Sequence, residues 1–121
     1  PLLAAQKIGL RFGAMHLSGA HVNSARMVAA GQADIAGIDA VSWHHMTAFD
    51  PWSEGLQVLG WTASSPGLPF ITADARLAPT LGRCLARAIG LMPAALRDRL
   101  TLKGLVQIDA RDYLSVLDPA A

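Results

Sequence analysis

The chain predicts an α/β fold, and three observations carry that prediction. Arg11 to Leu17 alternates well enough for a strand, the run from about Ala20 to Ala30 has helical apolar spacing, and Asp34 to Ala40 is a second apolar strand. Parallel strands joined by a helix form a βαβ unit with a right-handed crossover. Further along, Leu56 to Thr62 repeats the strand pattern and runs into Ala63-Ser64-Ser65-Pro66-Gly67-Leu68-Pro69, a connector by its Gly and Pro content.

The elements follow in order. Ser18-Gly19-Ala20-His21-Val22-Asn23-Ser24 is a small polar turn that leaves backbone N–H groups free at a helix start, and such a terminus is a ready anion site. Gly31 suits the stop of that helix. Val41 to Phe49 reads as a second short helix closed by Asp50-Pro51, and Phe70 to Ala73 as a short strand. Beyond it the pattern is helical. Leu77 to Ile89 places Leu77, Leu81, Leu85 or Cys84, Ala88 and Ile89 on one face and Arg83 and Arg87 on the other. Pro93 suits the first turn of the next helix, which carries Leu96 and Leu100 and ends at Lys103-Gly104-Leu105. Asp109 is a good cap for a last short helix with Tyr113, Leu114 and Leu117.

Composition narrows the class. At 121 residues, 52% hydrophobic and only 16% charged, the chain is neither disordered nor built to coat nucleic acid. A net charge of +1 argues against a polyanionic partner. Arg, Asp or His interrupts every apolar stretch before the roughly 18 residues of a membrane span, so a soluble chain is expected. The single Cys84 has no disulfide partner and no metal spacing, and a core-packing role is expected for it. Strands buried on both faces need covering layers and further partners, and Pro1 is not a natural start. The chain is therefore expected to be the C-terminal part of a longer polypeptide.

Several side chains stand out for chemistry. His21, at a helix start beside free amides, can donate to a phosphonate or phosphate oxygen, and protonation strengthens that bond. Ser18 can cap the helix, and Ser24 can reach the same ligand or face back onto the first turn. Asp39 sits at the carboxyl end of a strand, where open α/β sheets place ligands, or caps the helix after it. The pair His44-His45 points about 100° apart around a helix and does not chelate as an i, i+4 pair does, so no metal and no cofactor is expected. Ser18, Ser24, His21 and Asp39 contain the residue types of a hydrolase triad. No nucleophile elbow is present, however, and both serines flank the histidine within one turn, so an enzyme is not expected.

At this point a resemblance becomes specific. Ser18-Gly19-Ala20-His21-x-x-Ser24, then Val28-Ala29-Ala30-Gly31-Gln32-Ala33-Asp34-Ile35-Ala36-Gly37-Ile38-Asp39, then Val58-Leu59-Gly60-Trp61-Thr62-x-x-x-Pro66-Gly67-Leu68-Pro69-Phe70-Ile71-Thr72, resembles the phosphate/phosphite/phosphonate family of ABC-transporter substrate-binding proteins. Gly104 to Asp109 with Tyr113 is similar to that family's closing segment.

The resemblance implies a two-lobed, periplasmic-binding-protein-like α/β fold of which only the C-terminal portion is present. Residues 1–60 would belong to the second lobe, 61–72 to the returning hinge segment, and 73–121 to helices packing on the first lobe. It implies an importer's solute-binding component, outside the cytoplasm, that takes a small oxyanion and closes about a hinge before docking on an ABC permease. Contact with the membrane would run through that permease alone. A ligand-sensing receptor domain on the same fold is the alternative. The implied ligand set is Ser18, Gly19, His21, Ser24, Asp39 and Leu68. Aminophosphonate-binding members carry acidic residues where this chain has Val41 and Leu68, which favours a smaller or less basic ligand.

Overall fold

The computed structural model describes residues 6–7 and 9–117, the side chains at 115 and 116 excepted; Pro1, the expected point of truncation, lies outside them. The chain divides into two compact units, Pro1–Ser64 with Leu117–Ala121, and Ser65–Val116.

Helices form where apolar spacing and caps specify them. In the first unit, α1 spans His21–Ala29 and α2 spans Ala40–Phe49, followed by a 3-10 helix at Pro51–Gly55. Gly31, at φ +69°, lets α1 close as a Schellman motif: its own N–H reaches the Val28 carbonyl at 3.0 Å, and the Gln32 N–H reaches that of Met27 at 2.8 Å. Asp39 starts α2 by accepting the Val41 and Ser42 N–H groups at 3.0 and 2.9 Å on Oδ1. Pro51 opens the 3-10 helix at the position where a missing N–H costs nothing.

Both helices pack on that 3-10 turn. Ala25 of α1 and Met46 of α2 are its buried apolar residues. Ser53 is buried as well, and its hydroxyl donates to the Met46 and Asp50 carbonyls at 3.2 and 2.8 Å. The Arg26 guanidinium lies 5.3 Å from the Trp52 ring centroid, a cation–π contact that fixes α1 against the turn.

In the second unit, α3 spans Ala78–Leu91, α4 Ala94–Arg99 and α5 Ala110–Tyr113, with a 3-10 turn at Leu114–Leu117. Pro79 sits in the first turn of α3 and Ile89 is its buried residue. Pro93 precedes α4, and Asp109 caps α5 by accepting the Arg111 N–H at 2.8 Å. The end of α4 has the same hydrogen-bond pattern as that of α1, with the Leu102 N–H on the Arg97 carbonyl at 2.8 Å. Here the left-handed residue is Thr101, φ +52°, a β-branched side chain in a conformation that favours glycine. No described helix is long and apolar enough to cross a membrane.

The predicted α/β architecture is overturned. Among the described residues there is no strand, sheet or barrel, and the elements are helical throughout. The segments expected as strands, 11–17, 34–40, 56–62 and 70–73, are irregular up to Asp39, Ala40 already opens α2, and nothing bonds them into a ladder. The βαβ lobe and the hinge return strand are corrected with them. The reason is physical: alternation of side chains marks a chain that can be extended, whereas a strand exists only when a neighbour receives its N–H and C=O groups. Leu17 and Leu68, 99% and 100% exposed, have the apolar character of strand residues and no packing partner that would give it effect. Cys84 is corrected too, since it is exposed rather than packed in a core.

Candidate functional site

The start of α1 is built from a short loop. Gly19, at φ +79°, turns the chain, and Ala20 follows in an extended conformation, φ −158° and ψ 150°, as the N-cap residue. That residue has no side-chain acceptor. The N–H groups of His21, Val22 and Asn23 consequently have no partner among the described residues. Ser18 does not take the capping role that its residue type suggests. Its hydroxyl donates to the Ala20 carbonyl at 3.0 Å and lies 2.6 Å from the Ser24 hydroxyl, while Asn23 Nδ2 donates to the Ser18 carbonyl at 3.0 Å. The loop is thereby fixed by side chains, and the first-turn amides are left open.

His21 and Asp39 meet. The imidazole Nε2 lies 3.1 Å from Asp39 Oδ2, with both side chains about half exposed. Asp39 serves two elements at once, holding α2 through Oδ1 and His21 through Oδ2. Partial burial pushes its pKa up, but hydrogen bonds from the Ser42 side chain and amide, electrostatic attraction from the His21 imidazole and the hydrogen bond from the Val41 amide outweigh this and hold it below the usual carboxylate value.

Next to this pair is an open cleft of about 500 Å³ bordered by His21, Val22, Ser42, His45, Met46 and Phe49. The His45 ring stacks on Phe49 at 6.1 Å, and His44 meets His45 edge to face at 5.6 Å. Among the described residues no group of three His, Cys, Asp or Glu side chains could hold a metal.

Of the residues singled out in the sequence, Ser18, Gly19, His21 and Ser24 therefore share one loop and helix start, and Asp39 joins them through His21. Leu68 lies in the second unit, fully exposed. Sequence reasoning passed over Asn23, which pins the loop, and Ser42, which supports Asp39. The signal for Ser42 was available: Asp39-Ala40-Val41-Ser42 places a polar side chain at the third helical position after an N-cap, the spacing of a capping box.

A polar loop, an uncapped helix start and an adjoining histidine form an arrangement that can donate several hydrogen bonds to one anion. That chemistry fits a solute-binding protein. A family model described as ABC transporter, phosphonate, periplasmic substrate-binding protein matches residues 2–113, and the chain belongs to that family. Neither the curated proteins nor the solved structures contain a match to the chain. Family membership defines a periplasmic component that binds a small-molecule ligand and works with a permease, a role of binding and delivery rather than chemical conversion.

Proposed function

We propose that the chain binds a small phosphorus oxyanion, namely a simple phosphonate, phosphate or phosphite, at the start of α1. The uncapped first turn carries this reading: three adjacent N–H donors stand open at the positive end of a helix dipole. Gly19 orients the loop, the linked Ser18 and Ser24 hydroxyls hold it in place beside the open amides, and His21 adds an imidazole. An aminoalkyl ligand is disfavoured, because Val41 offers no carboxylate to its ammonium group and the Asp39 carboxylate is already held by the Val41 and Ser42 amides and by His21.

The test is calorimetric titration with methylphosphonate, phosphate, phosphite and 2-aminoethylphosphonate. At least one of the first three should bind, and His21→Ala should weaken it by about tenfold or more, because a hydrogen bond to a charged group contributes about 1.5–3 kcal/mol. Tight binding of 2-aminoethylphosphonate would overturn the ligand class. Failure of all four would overturn the function.

A further inference from the structure

We propose that the cleft beside the start of α1 holds the organic substituent of the ligand, so that the preferred ligand is an alkylphosphonate with a short apolar chain rather than inorganic phosphate or phosphite. The proposal rests on the oxyanion reading above and names the substrate class of that same site.

The His21–Asp39 contact at 3.1 Å puts the start of α1 beside the start of α2. From there Ser42, His45, Met46 and Phe49, spaced by three and four residues, form one stripe of α2. Together with Ala20, His21 and Val22 this stripe borders the open cleft of about 500 Å³. That volume falls among those of small-molecule sites, roughly 300–1,000 Å³, whose walls are mostly apolar and aromatic with a few placed polar groups.

Two kinds of surface meet in the cleft. At one end, His21 and Val22 carry two of the open first-turn N–H groups, which complement an anionic head. Along the α2 side the wall is apolar: Met46 is buried, Val22 is half-buried, and Phe49 is exposed with the His45 ring stacked on it at 6.1 Å. The Ser42 side chain is engaged with Asp39. Donors for one anion thus run directly into an apolar wall through a shared residue, Val22.

An inorganic oxyanion would engage the donors and leave that wall against water. A chain bonded to the same phosphorus covers the wall, and removing apolar surface from water is favourable. Asp50 borders the cleft as well, at about 12 Å of helix rise from Ser42. A short chain anchored at the start of α1 therefore lies against Val22, Met46 and Phe49 and ends before that carboxylate.

Calorimetric titration with methyl-, ethyl-, propyl- and butylphosphonate keeps the head constant and lengthens the chain. Full burial of one methylene tightens binding about fourfold, so even partial burial should make butylphosphonate bind at least about tenfold more tightly than methylphosphonate. Phe49→Ala should reduce that ratio to about threefold or less, while Phe49→Leu, which keeps an apolar side chain, should retain most of it; circular dichroism checks that both variants keep their helices. Affinity that stays flat or falls with chain length, or a ratio unmoved by Phe49→Ala, would overturn the cleft assignment while leaving the oxyanion reading intact. If the chain takes up none of the four phosphonates, nor phosphate or phosphite, the oxyanion reading has failed and the cleft assignment fails with it.

Discussion

Giving α1 the cap it lacks should stabilise the protein and abolish its binding. Ala20 already has the extended backbone of an N-cap residue, so Ala20→Asp requires no rearrangement of the chain. Its carboxylate would accept from both the Val22 and Asn23 N–H groups, as Asp39 does from Val41 and Ser42, which contributes about 1 kcal/mol. Its charge at the positive end of the helix dipole adds about 0.3–1 kcal/mol. For a unit of this size, each kcal/mol raises Tm by about 4–8 °C.

The same carboxylate occupies the place of the ligand. Losing two N–H donors to an anion, at about 1.5–3 kcal/mol each, removes about 3–6 kcal/mol of binding, more than roughly 100-fold in Kd. Thermal unfolding followed by circular dichroism and calorimetric titration with phosphite read the two effects separately. Ala20→Ser provides the cap without the charge and should fall between wild type and Ala20→Asp in both. A variant that is stabilised yet binds normally would refute the assignment of the anion to the first-turn amides.

Other consequences follow from named contacts. Asp39→Ala removes the α2 cap and should cost about 0.5–2 kcal/mol in urea denaturation, a loss that Asp39→Asn largely avoids. Because the folded-state pKa of Asp39 lies below its unfolded value, the unfolded state binds more protons, and the resulting stability is present above the unfolded value and lost as pH falls through the folded one. The urea midpoint should drop below about pH 4, and less steeply in Asp39→Asn; Asp74, held by Arg76, shifts in the same direction and leaves a residual slope. Thr101→Gly relieves the left-handed strain at the end of α4 and should stabilise by about 1 kcal/mol, while a loss of stability would place the favourable contacts of the Thr101 side chain above its strain. Arg26→Ala should cost about 0.5–1 kcal/mol through loss of the Trp52 contact and change the tryptophan emission.

The helices were legible in the sequence because their signals are local. Gly31 marks the end of α1, Asp39 and Asp109 mark the starts of α2 and α5, and Pro93 stands immediately before α4. These signals depend on residues within one turn of each other, so no distant partner is needed to realise them. The strands were misread because their signal is not self-sufficient. Alternation at 11–17 and the apolar runs at 56–62 and 70–73 describe what a paired strand looks like, and pairing is a non-local event that the pattern does not encode.

The candidate site was legible to a similar degree. His21 and the serines stood out by residue type, yet the reach of Asp39 across to His21 depends on how α1 and α2 pack against the Pro51–Gly55 turn. For Ser18 the residue type left a capping role and a ligand role open, and its hydroxyl is instead taken up by Ala20 and Ser24, an arrangement set by the turn at Gly19.

The most direct test of oxyanion binding at the start of α1 is a titration of the ¹⁵N-labelled chain with phosphite, followed by amide chemical shifts. The His21, Val22 and Asn23 amides should move downfield and saturate together, and should cease to respond in Ala20→Asp. Shifts confined to other residues, or none at all, would contradict the account.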